Sequence, residues 1–327
     1  MADTSMNIKD RCYVVQVAPS KSSSSAGQGF KIDSRQFPRT GIPNIQFTCK
    51  KDHANEKPND YKVTFFNLNS AHQSFLEQAN AYIYLYAGYD KNVSLIAKGW
   101  IVDATTDRTT PDVKTVVTFY DGFKELRDTI ISISYEKGAS VHAIIKALAS
   151  KLGMVVNISP NAKDAKYKHK GFSFRGRVDE ALNKVCTKAQ LIWSIQDGNI
   201  IVTNVNGNTQ NKAYYISAST GMIGSPTRVK LASRKIDDDT PEKEEKRSKN
   251  SIKIETVEAQ RHGWQIKCFL NASIKPGDVV VIKSTKTDCN GTYRIEDLTH
   301  NGSYYDSWTT EFVCVEDSSY TYNTTPV

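Results

Sequence analysis

The residues best suited to chemistry are six cysteines (Cys12, Cys49, Cys186, Cys268, Cys289 and Cys314) and six histidines, set among 35 Asp and Glu. Zinc ligands come as close pairs, because two side chains on one turn of chain must reach the same ion. These cysteines lie far apart, with no Cys-x-x-Cys and no Cys/His cluster, so they read as buried thiols and no metal or cofactor is expected. The His-Glu-x-x-His zinc helix, the Gly-x-Ser-x-Gly nucleophile elbow, the phosphate-cradling Walker loop and the dinucleotide signature Gly-x-Gly-x-x-Gly are all missing. Two carboxylates could meet in a cleft and hydrolyse a glycan, but nothing in their spacing sets one pair apart. His142 follows the apolar Val141 and has no Cys or carboxylate near it in sequence, so it reads as a helix-surface histidine. Six Asn-x-Ser/Thr sequons, such as Asn157-Ile158-Ser159 and Asn290-Gly291-Thr292, carry meaning only in a secreted eukaryotic chain and read here as strand and turn composition. No catalytic, cofactor-binding or metal-binding residue is assigned, and the chain is expected not to be an enzyme.

With 327 residues the chain can bury one large core or two to three smaller ones. Hydrophobic residues make up 39%, charged residues 24%, and the mean hydropathy is −0.48. Those values describe a folded globular chain and exclude fibrous or disordered classes. No apolar run approaches the roughly 18 residues of a membrane span. Asp3 and Asn7 stand where a signal peptide carries its apolar region, so no secretion signal is expected. A net charge of +8 makes nucleic acid an early suspect. The basic residues are scattered, however, and form none of the blocks that track phosphates.

The elements that would position any site begin with strands. In Ala81-Tyr82-Ile83-Tyr84-Leu85-Tyr86-Ala87, aliphatic residues alternate with tyrosines, so one face suits a core. The tyrosine face suits a half-wet surface, a partner or an aromatic ladder within the chain. Val63-Thr64-Phe65-Phe66, Gly99-Trp100-Ile101-Val102 and residues 113–120 are further strands. Residues 21–29 and 49–61 read as exposed loops, the latter rich in Asn, Asp and Lys with Pro58.

After Asp121-Gly122 the period changes. Ser140 as N-cap, Val141, Ile144, Ile145, Leu148 and Leu152 at helical spacing, and Gly153 as C-cap predict a helix. A second helix is predicted over 178–190, with Ala181, Leu182, Val185, Cys186 and Ala189 as its apolar stripe. Residues 191–196 and 199–202 flank Asp197-Gly198, the signal of a two-residue type I′ hairpin.

Strands return from Ala213, with alternation at Ile252 and Ile254 and again at Trp264, Ile266, Cys268 and Leu270. Pro276-Gly277, Asn290-Gly291 and Asn301-Gly302 read as tight turns between short strands, the pattern of a small barrel or sandwich. Gly88, Gly99, Gly122, Gly277 and Gly291 are expected at strand ends, where turns commonly need positive φ. Residues 233–250 mix Asp, Glu, Lys and Arg and read as a solvated loop.

Several strings occur in a familiar order: Asn67-Leu68 ahead of a helical stretch, Tyr84-Leu85-Tyr86-Ala87-Gly88-Tyr89, Ala97-Lys98-Gly99-Trp100-Ile101 and Phe119-Tyr120-Asp121-Gly122. Then come Gly221-Met222-Ile223-Gly224-Ser225-Pro226-Thr227, Ile266-Lys267-Cys268-Phe269-Leu270-Asn271-Ala272-Ser273-Ile274-Lys275-Pro276-Gly277-Asp278 and Asn290-Gly291-Thr292-Tyr293-Arg294-Ile295. In this order the chain resembles the baseplate hub proteins of contractile-tailed bacteriophages, in the group that includes the late control protein D and the hub part of type VI secretion spikes. The resemblance implies a mainly β protein in which two tail-tube-like β-barrel domains, 1–122 and 206–327, flank a small α+β domain at 123–205, with the charged loop 233–250 in the last. It implies a homotrimeric structural hub in the virion, assembled in the host bacterial cytoplasm. The tail tube protein would lie above, a central spike protein below and baseplate wedge proteins at the periphery, with DNA passing through a channel without specific binding and no stable membrane insertion. The competing reading is a virion-associated cell-wall hydrolase or carbohydrate-binding tail protein.

Overall fold

A computed structural model of the chain describes residues 11–19, 29–38, 41–53, 58–77, 81–90, 92–167, 170–205, 207–209, 213–231 and 261–316. All but the end of the predicted 21–29 loop, the 233–250 loop and the Ile252/Ile254 strand lie outside the described residues.

The first strands are β1 (Arg11–Ala18), β2 (Phe30–Asp33), β3 (Ile45–Asp52), β4 (Asp60–Phe66), β5 (Tyr82–Tyr89), β6 (Asn92–Asp107) and β7 (Lys114–Tyr120), with α1 (Ser70–Leu76) between β4 and β5. They pair in the order β2-β1-β5-β6-β7-β4-β3. Period-two alternation sends Tyr13, Val15, Val63, Phe65, Ile83, Leu85, Val117 and Phe119 into one core. The last strands are β13 (Ala213–Ser217), β14 (Met222–Leu231), β15 (Arg261–Phe269), β16 (Val279–Lys283), β17 (Gly291–Ser303) and β18 (Trp308–Glu316). They pair in the order β13-β16-β17-β18-β15-β14 around a separate core of Ile266, Val280, Ile295, Leu298 and Phe312. The order β5-β6-β7-β4-β3 thus recurs as β16-β17-β18-β15-β14.

Between them lie α2 (Phe123–Asp128), β8 (Ile130–Tyr135), α3 (Val141–Leu152), β9 (Val155–Ile158), β10 (Phe172–Arg177), α4 (Val178–Lys188), β11 (Leu191–Gln196) and β12 (Asn199–Asn204). Strands β8 and β10 form one small sheet, and β11-β12-β9 another. The α3 caps are those expected: the Ser140 hydroxyl accepts from the Ala143 N–H at 3.1 Å, and Gly153 turns out of the helix at φ 65°. Ile144, Ile145 and Leu148 of α3 meet Ala181, Leu182 and Val185 of α4 in a third core. Each such fully buried Leu, Ile or Val is worth about 1.5–3 kcal/mol. The second helix ends at Lys188, before the predicted 190, because Gln190 adopts φ 56° and leads into β11.

Several expectations are corrected. The described parts of the predicted 49–61 loop, 49–53 and 58–61, are not exposed loop: Cys49, Lys51, His53, Asn59 and Tyr61 are buried, and β3 and β4 run through the segment's two ends. Asn301-Gly302 is no turn but the interior of the 13-residue β17. A Cβ on Gly302 would stand 2.2 Å from the Phe47 ring, so that glycine serves a close approach. Gly122 and Gly277 have positive φ, whereas Gly88, Gly99 and Gly291 do not. Gly99 sits mid-strand in β6, where a Cβ would lie 2.4 Å from the Tyr120 carbonyl oxygen. On β5, Tyr82 is buried against Trp100 at a centroid distance of 5.0 Å, while Tyr84 and Tyr86 stay half-buried, so the aromatic ladder lies within the chain. His142 is half-buried, and its backbone N–H donates to Asp164 at 3.1 Å, a carboxylate that sequence proximity could not supply.

Candidate functional site

What residue spacing could not foresee is that the two β units share one sheet. Residues 291–294 of β17 pair with β16, and residues 297–303 pair antiparallel with β3. The strand changes partner at a bulge between Ile295 and Asp297. Glu296 at that bulge is ion-paired to Arg294, and its carbonyl accepts from the His53 N–H at 2.8 Å. Arg294 in turn donates to the carbonyls of Val205 and Gly207 at 3.3 and 3.0 Å. Trp308 of β18 and Leu270 belong to the first core, with Trp308 edge-on to Phe47 at 5.1 Å. Tyr89 donates to the Trp308 carbonyl at 3.1 Å and accepts from the Leu270 N–H at 3.2 Å.

The hairpin between β11 and β12 plugs into this seam. Asp197 and Gly198 have φ of 52° and 75°, as a type I′ turn requires, and Asp tolerates the left-handed region better than most residues. The same aspartate bonds both β units. One carboxylate oxygen accepts from Lys51 of β3 at 2.7 Å, and the other accepts from Lys275, in the segment after β15, at 2.7 Å. Lys51 and Asp197 are buried, whereas the Lys275 side chain is 40% exposed. Burial alone would raise the Asp197 carboxyl, but the two ammonium groups outweigh it and hold it at about 2.

Around this ion triad the ends of β3, β7 and β11 are tied. The Gly198 N–H donates to Asp121, at the end of β7, at 2.9 Å. Gln196 donates to the Asp52 carbonyl at 2.7 Å, Asn59 to the Ile195 carbonyl at 2.6 Å, and His53 shares a hydrogen bond with Thr203 at 3.2 Å. Asp121 is fully buried, and burial, reinforced by the Asp197 charge against the Gly198 hydrogen bond, Lys51 and Lys98, pushes its carboxyl up to about 7. Its Oδ1 has no hydrogen-bond partner among the described residues. His300, opposite Cys49 in the β17–β3 pairing, is held down at about 3, by burial first and then by the Lys51 charge. Its Nδ1 lies 2.9 Å from the Thr310 hydroxyl.

The arrangement is a joint between the units. Its polar groups join three hydrophobic cores through charge-assisted hydrogen bonds, and removing the Asp197 carboxylate would leave the buried Lys51 ammonium without its counter-charge. All six cysteines are buried thiols outside any disulfide. Among the described residues no group of three or more His, Cys, Asp or Glu could hold a metal ion, and no helix is long and apolar enough to cross a membrane.

The profile of a protein family described as Baseplate hub gp41 matches residues 61–230. Among solved structures, the fold is similar to the tail protein from Neisseria meningitidis MC58, with 11% identity over 93% of this chain and 97% of that one and a TM-score of 0.57. It is similar to the 43 kDa tail protein of prophage MuSo2 from Shewanella oneidensis, with 7% identity over 94% and 97% and a TM-score of 0.59. A type VI secretion component of E. coli, itself described as similar to the T4 bacteriophage tail proteins gp27 and gp5, matches 84% of this chain and 74% of its own at 10% identity and a TM-score of 0.55. At these identities the likeness is one of fold. No curated protein matches the chain in sequence.

Proposed function

The chain belongs to the Baseplate hub gp41 family, a phage baseplate and tail component, and from that premise we propose that three copies form a ring adapting the sixfold tail tube to a threefold central spike. The observation that carries the reading is the recurrence of one strand order in two β units of a single chain, joined edge to edge by β3 and β17. A threefold object with two like units per copy offers six like positions, and a heterologous interface that closes makes a ring of them. In this reading the domains are 1–122, 123–205 and 206–327, the outer two are tube-like barrels, and the separate cores support the division. The hub itself is non-enzymatic and assembles in the host cytoplasm. It meets the tube above, the spike below and wedge proteins outside.

In this reading DNA passes through the ring without specific binding. Alternation and register put Asp52, Asp60, Asp103, Asp107, Asp297 and Glu311 on one face of the joined sheet with Lys50, Lys62, Lys114 and Lys267. Lys31, Lys98, Lys283 and Arg294 share that face with Asp33, so acids and bases are closely balanced on it, although the whole chain carries +8. A face of such mixed charge lacks the block of basic residues that would hold a polyanion.

Native mass measurement and particle reconstruction of the chain, alone and with its tube and spike proteins, test the reading. A trimer with six β units around a channel wider than the roughly 20 Å of a DNA duplex is expected. A stable monomer even beside both partners would refute it. Incubation with peptidoglycan separates the hydrolase reading, because the hub leaves it uncleaved.

A further inference from the structure

We infer that neighbouring copies join by adding β14 of one copy to residues 103–107 of β6 in the next, in the register that β3 and β17 use within the chain. The inference rests on the ring reading above and supplies its interface. The two β units correspond strand by strand in pairing order. Like β17, β6 is long, pairs over its first part with a shorter strand (β5, where β17 has β16), and bulges, between Ile101 and Asp103 where β17 bulges between Ile295 and Asp297. The rows across each unit correspond: Asp103, Thr118, Lys62 and Thr48 stand in line, as do Asp297, Val313, Gln265 and Thr227. By this alignment β14 occupies the place of β3, and residues 103–107 that of 297–301.

Within the chain, β3 adds to β17 just beyond the bulge, with Thr48 opposite Asn301 and Lys50 opposite Thr299. The corresponding edges of the other pair are open. Among the described residues no strand pairs with residues 103–107 on the flank away from β7, and none pairs with β14 on the flank away from β15. Two free edges of matching length on one chain are a template for a second copy. Transferring the register places Thr227 opposite Asp107, Val229 opposite Thr105 and Leu231 opposite Asp103 of the neighbour. Pro226, which could not donate to a ladder, falls outside these pairs. The open part of β6 carries Asp103 and Asp107, the facing part of β14 carries Arg228 and Lys230, and all four are exposed. In the joined sheet the acids and bases emerge on opposite faces, so they steer the edges together rather than form pairs.

Thr105→Cys combined with Val229→Cys in one chain tests the register. Directly opposed residues of an antiparallel pair have Cα atoms about 4.5–5.5 Å apart, within the span of a disulfide. Mild oxidation is expected to yield covalent dimers and trimers on a denaturing gel, and neither single variant should do so. A trimer by native mass without the crosslink overturns the edge assignment and leaves the ring reading standing. A monomer beside the tube and spike proteins overturns the ring reading and this inference with it. In a second variant, Arg228→Glu with Lys230→Glu, association is expected to slow by about tenfold or more at low salt with unchanged thermal stability. Unchanged association kinetics would refute the steering role.

Discussion

Replacing Asp197 by Asn removes one negative charge from the seam and little else. Asn is as tolerant as Asp of the left-handed φ of 52° at this turn position, so the hairpin keeps its shape. What changes is Lys51, only 1% exposed, which loses the carboxylate that bonds it at 2.7 Å. Breaking a buried pair by removing one partner costs about 3–5 kcal/mol, which for a chain of this size lowers the melting temperature by roughly 6–20 °C. Lys275 provides the control. It bonds the same carboxylate, but with its side chain 40% exposed its removal by Lys275→Ala should cost only about 0–1 kcal/mol. Thermal unfolding of the three proteins at neutral pH and low salt is the assay. A melting temperature for Asp197→Asn within about 2 °C of the parent, or a loss in Lys275→Ala as large as that in Asp197→Asn, would refute the assignment of the joint.

Two further outcomes follow from the same neighbourhood. Because burial raises the Asp121 carboxyl from its ordinary 3.8 to about 7, the folded state holds that proton where the unfolded chain has lost it. Its contribution to stability is therefore full below about pH 4 and is lost as pH rises to about 7. Asp121→Asn should flatten that decline, so a difference in melting temperature between parent and variant that does not change from pH 4 to 8 would contradict it. Gly302→Ala drives a methyl group into the Phe47 ring and should cost about 1–3 kcal/mol, with part of the loss restored when Phe47→Leu is added. Strict additivity of the two changes in a thermal-unfolding cycle would rule out that contact.

Local signals were legible in the sequence and distant ones were not. Ser140 and Gly153 act within one helix, and Asp197-Gly198 within one hairpin, so propensity and capping chemistry reveal them directly. The order of strings from Asn67 to Ile295 was enough to point to the family. The joint escaped because its polar residues look like loop residues until their partners are known. Lys51 lies 146 positions from Asp197, and Asn59 lies 136 from Ile195. A stretch rich in Lys, His and Asn is ordinarily solvated, and burial of such groups becomes tolerable only when another part of the chain satisfies them. Gly302 failed for a related reason: Asn-Gly commonly marks a turn, and only the ring of Phe47 explains a glycine within a strand.

The same distance argument explains why the seam is ionic at all. An apolar seam of equal area could be as stable, since buried ion pairs recover little beyond their desolvation cost. It would specify register less sharply. In β3 the side chains alternate, with Lys50 on the open face and Lys51 in the joint, so a slip of one residue against β17 would exchange them. Such a slip would also turn Ile45, Phe47 and Cys49 out of the core, but for the ammonium group alone the two successive lysines are interchangeable. Asp197 adds to the apolar face in fixing which lysine enters the joint, since its carboxylate comes from a third element whose position is fixed by Asn59, Gln196 and the Gly198 N–H to Asp121. The register of the β3–β17 pairing sets how the two β units face each other. The Asp197→Asn protein should accordingly lose amide-exchange protection in residues 50–52 and 297–299 before its β5–β6 strands do; uniform loss across both would mean that the carboxylate holds the fold generally and not this seam.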